Sequence, residues 1–256
     1  MDAQMPAGET ISINEMQIYY VSHGEGEPLV LLHGFTGSSG DWKIFLPDLA
    51  QGYRLIIPDL RGHGRSTNPL TTFTFRQAAL DVFALLDYLG IGQCKAIGLS
   101  NGGNILLHMA TQQPKRVTAM VLVSAVSYYP EQARTIMRAY TADNLTGDEW
   151  RILRQRHQYG DEQIRALFRQ GRAFANDYQD MNFIPPYLAT ITARTLVVSG
   201  DRDPLVPVSI AVELFNAIPH SYLCIVPDGE HLPVFYDRRE SFIRMVVPFL
   251  RGDWKQ

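Results

Sequence analysis

Cysteine is almost missing from this chain: Cys94 and Cys224 are the only two in 256 residues. Two isolated thiols, each in an apolar strand-like run, make neither a disulfide framework nor a zinc site, so both read as reduced core residues. No apolar run approaches the ~18 residues of a membrane span. Residues 1–10 lack a basic stretch followed by an apolar one, so no signal peptide is expected. An excess of one charge is missing too. Lys plus Arg number 23 and Asp plus Glu 26, a net charge of −3, which offers little to a nucleic acid or an anionic membrane. There is no Walker or dinucleotide glycine pattern, and no histidine pair has metal-ligand spacing. Neither a cofactor nor a metal is expected. What remains is a globular composition, 46% apolar and 19% charged, near the upper length for one core. The expectation is a cytoplasmic protein acting on a small molecule.

Short apolar runs alternate with amphipathic ones, the pattern of a mostly parallel sheet with helices on both faces. Residues 10–20 alternate around Asn14-Glu15 and read as a leading hairpin. Residues 29–32, 54–57, 95–99 and 117–123 are nearly all apolar, as strands buried on both faces are. Residues 74–89 read as a helix, with Ala79, Val82, Phe83, Leu86 and Leu89 on one face. Thr74 with Gln77 makes a capping box, and Gly90 gives the stop. The alternation resumes with a strand at 195–199, a helix at 209–217, a strand at 222–226 and a helix at 238–250.

Between these halves the texture changes. Residues 128–187 show helical stretches, such as 162–174, and no strand pattern. They hold eight Arg, no Lys, eight acidic residues and ten aromatics. The charges cancel, and Asp161 with Arg165 has the spacing of a helix-surface pair. A stretch this long is no plain connection. It reads as a helical insertion, with the α/β core formed by residues 1–127 and 188–256.

Gly98-Leu99-Ser100-Asn101-Gly102 matches G-x-S-x-G, a weak pattern that its context strengthens. It ends the strand at 95–99 and opens a helix at 101–112. A serine on such a turn is strained and projects its hydroxyl, and the flanking glycines let strand and helix pass closely. The helix N-terminus favours negative charge beside it. The competing reading is a glycine-rich turn with an incidental serine. A serine nucleophile needs a base and an orienting carboxylate, expected in the order Ser, acid, His. His231, after the last strand, is the best base. His108 and His220 read as structural, His157 as a possible substrate contact, and His23 has no evident partner. Asp201 and Asp203 both follow the strand at 195–199, and spacing does not choose between them. The oxyanion donors are expected to be the backbone N–H of Asn101 and that of Phe35, in the loop His33-Gly34-Phe35.

These motifs together resemble the α/β-hydrolase superfamily, in its capped, serine-nucleophile branch. The resemblance rests on His33-Gly34-Phe35, on Asp59-Leu60-Arg61-Gly62-His63-Gly64-Arg65-Ser66, on residues 98–102 and 200–207, and on Gly229-Glu230-His231, in the family's order. It points to Asp203 as the acid and makes His63 part of a supporting loop. It also makes residues 128–187 a cap that shapes the substrate pocket, expected from Phe35, Trp150, Phe183, Val206 and Leu232. Relatives that act on haloalkanes or epoxides carry an aspartate where Ser100 stands, so serine implies attack on a carbonyl. The leading expectation is a carboxylic-ester or lactone hydrolase. A carbon–carbon bond hydrolase of a diketone-like substrate and a cofactor-free perhydrolase or haloperoxidase share the same serine triad. A ligand receptor on the same fold is the non-enzymatic alternative.

Overall fold

A computed structural model describes residues 4–254; residues 1–3 and 255–256, with the first part of the expected leaderless start, lie outside the described residues. The hairpin forms from β1 (Glu9–Ile13) and β2 (Met16–His23). Its turn residues Asn14 and Glu15 both take positive φ, as a primed turn between twisted strands requires. The other strands are β3 (Glu27–Leu32), β4 (Tyr53–Pro58), β5 (Cys94–Leu99), β6 (Val117–Val123), β7 (Arg194–Gly200) and β8 (Ser221–Val226). They form one sheet in the order β1-β2-β4-β3-β5-β6-β7-β8, antiparallel through β2–β4 and parallel from β4 onward. Every expected strand is present.

The central strands are buried on both faces because each alternate side chain enters a different core. Val30 and Leu32 join one cluster and Leu29 and Leu31 the other; Met120 and Leu122 likewise part from Val121 and Val123. The first face is covered by α2 (Phe75–Tyr88), α3 (Asn101–Gln112) and α8 (Val208–Ala217). The second is covered by the turn Ser39–Phe45, which runs on into α1 (Leu46–Leu49), and by α9 (Arg239–Arg251). Cys94 is buried and Cys224 half-buried, both free; burial pushes the Cys94 thiol up to about 12. No helix among the described residues is long and apolar enough to cross a membrane.

The chain between β6 and β7 is helical: α4 (Glu131–Arg138), α5 (Gly147–Arg156), α6 (Asp161–Ala173) and α7 (Pro185–Leu188). An antiparallel bridge from Tyr128 to Asn182 ties its two ends together. Asp180, near its end, accepts from the N–H groups of Phe75 and Arg76 and so caps α2. That contact corrects the expected capping box at α2. Thr74 does accept from Gln77 N at 3.1 Å, but the Gln77 amide turns to Asp81 at 3.2 Å. Asp81 is buried and bound by Arg61 Nε and Nη2 at 2.8 and 2.7 Å, and a buried carboxylate draws every donor within reach. The Asp161–Arg165 pair is a second correction. Asp161 binds Arg154 and Arg165 binds Asp143, because neighbouring elements bring closer partners than the next turn does.

Candidate active site

Ser100 sits between β5 and α3 at φ +50°, ψ −112°, a conformation that a side chain rarely adopts. The close approach behind it explains both flanking glycines. A Cβ on Gly98 would lie 2.4 Å from the Gly102 carbonyl carbon, and one on Gly102 would lie 2.3 Å from Leu32 O. No side chain fits either position.

The turn presents Ser100 Oγ to His231 Nε2 at 3.0 Å. His231 follows β8, and its Nδ1 lies 2.7 Å from Asp203 Oδ2. A carboxylate facing Nδ1 puts the ring proton there and leaves Nε2 free to accept from the serine hydroxyl. Asp203 is held rigidly: its side chain is fully buried, and Oδ1 accepts from Leu205 N at 2.8 Å and Val206 N at 3.0 Å. Asp201 is exposed and braces the turn by accepting from Gly229 N at 3.2 Å. Three residues far apart in sequence thus form one hydrogen-bonded chain.

Asn101 N–H opens α3, and the loop after β3 passes close by; a Cβ on Gly34 would come within 3.5 Å of Ser100 Cβ. Among the described residues neither the Phe35 nor the Asn101 N–H has an intramolecular acceptor. The loop is pinned from the helical segment. The Phe35 ring stacks on Tyr140 and meets Phe168 edge-on. Thr36 O accepts from Arg156 Nη1 at 3.1 Å and His157 Nε2 at 3.0 Å.

His157 therefore ties loops together instead of facing substrate. Its Nδ1 accepts from Gly64 N at 2.9 Å, which fixes the proton on Nε2. His33 does the same nearby, accepting from Leu60 N at 3.0 Å and donating to Gly34 O at 2.8 Å. His63 lies against both rings. Burial pulls His33 down to about 3 and His157 to about 4, and holds His63 well below its ordinary value. His108, donating to Asp180 O on the other side of α3, is also pulled down to about 4 by burial. The unfolded chain takes up these protons first, so the stabilisation is complete above about pH 6.5 and is lost as pH falls. Each buried histidine should steepen that loss by about 1.4 kcal/mol per pH unit below pH ~6.5. Denaturant midpoints should fall from pH 7 to pH 5; a flat profile would contradict the neutral, acceptor state of these rings.

A cavity of about 140 Å3 opens at Ser100 and His231. Phe35, Val206 and Leu232 line it. Trp150 and Phe183 do not, which corrects the expected pocket. Trp150 is half-buried between the guanidinium groups of Arg154 and Arg165. Phe183 packs edge-on against His108 and stacks on Tyr187. The walls that sequence reasoning missed are Tyr129, Met137, Tyr140 and Phe174 from the helical segment, with Asn104 one turn beyond Ser100 on α3. For Asn104 the i, i+4 spacing was the available signal. For Tyr129 it was a position just past the carboxyl end of β6, where ligand sites of parallel sheets gather. Among the described residues no His, Cys, Asp and Glu cluster could hold a metal ion.

Comparison with known proteins agrees with this architecture. The family model described as alpha/beta hydrolase fold matches residues 27–173. The chain is 37% identical over 114 residues to the soluble epoxide hydrolase of Corynebacterium sp.; the match spans 44% of this chain and 40% of that protein. It is 25% identical over 260 residues to the 2-hydroxy-6-oxo-6-(2′-aminophenyl)hexa-2,4-dienoic acid hydrolase of Metapseudomonas resinovorans, covering 94% of this chain and 89% of that one. Among solved structures it is similar to the esterase RhEst1 of Rhodococcus sp., 26% identical with a TM-score of 0.76, covering 97% and 99% of the two chains. With the matched region exceeding half its length, the chain belongs to the α/β-hydrolase family.

Proposed function

We propose that this protein is a serine hydrolase of carboxylic esters or lactones with a small, uncharged acyl group. The observation that carries the reading is the Ser100–His231–Asp203 chain at 3.0 and 2.7 Å, opening into an apolar cavity. Ser100 Oγ attacks the carbonyl carbon as His231 Nε2 takes its proton, while Asp203 holds the ring and stabilises its charge. The N–H groups of Phe35 and Asn101 bind the oxyanion, aided by the N-terminus of α3. His231 returns the proton to the leaving alcohol. Water, deprotonated by the same ring, then attacks the acyl-Ser100 ester and frees the acid and the serine. Every step uses groups of this chain.

A serine at the elbow supports carbonyl chemistry over epoxide opening. Charge favours an ester over the kind of acid for which the Metapseudomonas relative is named. No Lys or Arg lines the cavity, so a substrate carboxylate there would be desolvated without a counter-ion. Volume limits the acyl group: a cavity of about 150 Å3 holds a benzene ring, and this one is of similar size. The helical stretch at 128–187 acts as the cap, since it brings Met137, Tyr140 and Phe174 over Ser100.

A p-nitrophenyl ester series tests both points. kcat/KM should peak at acyl chains of about four to six carbons and fall at least tenfold by ten carbons. Met137→Trp should shift the optimum shorter, whereas Trp150→Ala should leave the profile unchanged. An optimum at long chains, or faster cleavage of a vinylogous diketone acid, would overturn the reading.

A further inference from the structure

The cavity wall next to Ser100 carries a donor that the protein itself does not use. Val126 N–H donates to the Asn104 side-chain oxygen at 3.0 Å. A backbone N–H can only donate, so this bond fixes which end of the amide is oxygen. The Asn104 nitrogen then faces the Tyr129 hydroxyl at 3.2 Å and donates to it. The phenol oxygen is thereby an acceptor, and its own proton has no acceptor among the described residues.

This hydroxyl is held in place. Tyr129 is 6% exposed, its ring stacks on Phe174, and its carbonyl accepts from Arg134 Nε at 2.9 Å. Burial raises the phenol above its ordinary value, so it stays protonated at neutral pH. Asn104 N also donates to Ser100 O at 3.0 Å, which sets Asn104 one helical turn beyond the nucleophile. Both Tyr129 and Asn104 line the cavity. Buried donors in native proteins are almost always paired, and Tyr129 lines the cavity that opens at Ser100.

We propose that the cavity selects acyl groups bearing a neutral hydrogen-bond acceptor, an ether or keto oxygen a few atoms beyond the scissile carbonyl, which takes the Tyr129 proton. This deepens the hydrolase reading and rests on it. Purely hydrocarbon acyl chains would fit the volume but leave the donor buried and unpaired. A site built to bond an oxygen discriminates against the analogue that lacks it more sharply than an apolar wall discriminates by size.

The test is a set of p-nitrophenyl hexanoates in which one methylene at a time, at chain positions 3, 4 and 5, is replaced by oxygen. Each enzymatic rate is divided by the ester's own rate of hydroxide hydrolysis, to remove inductive effects. At least one oxa ester should exceed the all-carbon ester by about 10- to 100-fold in kcat/KM. Tyr129→Phe should bring that ratio to within about threefold of one. Equal corrected rates in the wild type, or a preference that Tyr129→Phe leaves intact, would overturn the proposal. Should that variant fail to fold, inhibition of the wild type by the matching N-methyl amides decides. A tighter oxa amide supports the assignment and equal inhibition overturns it. Failure of every ester to turn over would overturn the hydrolase reading itself, whereas turnover without oxygen preference overturns only this one.

Discussion

Ser100→Ala should lower kcat for ester turnover by about 10⁴-fold or more while the protein stays folded. The size of the loss follows from geometry. His231 Nε2 faces Ser100 Oγ, and the other serine lining the cavity, Ser124, accepts instead from Leu232 N at 3.3 Å. No second nucleophile stands ready. The fold is unaffected because the strain at φ +50° belongs to the turn, not to the hydroxyl, and alanine inherits it. Circular dichroism and a denaturant curve check the second half of the statement. More than a few per cent residual activity in a clean preparation would contradict the first.

The adjacent aspartates give the second large effect. Asp203→Asn should lower kcat by roughly 10³- to 10⁴-fold, since an amide lacks the charge that stabilises the protonated ring and can present a donor to Nδ1. Asp201→Asn should stay within a few-fold of wild type. Its carboxylate is exposed, pairs only at 3.9 Å with Arg202, and accepts one N–H from Gly229, so its loss should lower stability by about 1 kcal/mol or less. The two variants should thus differ by at least a hundredfold in kcat at saturating ester. Collapse of Asp201→Asn with a near-normal Asp203→Asn would reverse the assignment, and activity in both would move the acid to another loop.

The strands were legible because a strand buried on both faces is spelled in a short, nearly continuous apolar run, as at 117–123. The elbow was legible for a different reason: backbone passes backbone at Gly98 and Gly102, so only glycine fits on either side of the serine turn. The turn and helix at 39–49 escaped notice. Yet Ser38 caps them with Asp41 in a full capping box. The cavity walls were the least legible part. Aromatic content shows that a helical segment buries rings, but which ring faces Ser100 depends on how α4, α5 and α6 dock. That docking is set by contacts across 40 to 120 residues, such as Arg134 to Ala175 O and Arg156 to Thr36 O. Trp150 and Phe183 illustrate it: each meets a partner from another element, Arg165 and His108 respectively, that sequence spacing does not reveal. The choice between Asp201 and Asp203 was likewise beyond spacing, since it turns on which carboxylate the N–H groups of Leu205 and Val206 draw inward.

The role proposed for Ser100 is that of a nucleophile activated by His231. Reaction with a fluorophosphonate followed by peptide mass mapping tests it most directly, since a stable adduct forms at an activated serine. One adduct per chain is expected, on the peptide holding Ser100, formed in step with loss of ester turnover and absent from Ser100→Ala and His231→Ala. An adduct on any other residue, or full ester turnover after stoichiometric labelling, would contradict it.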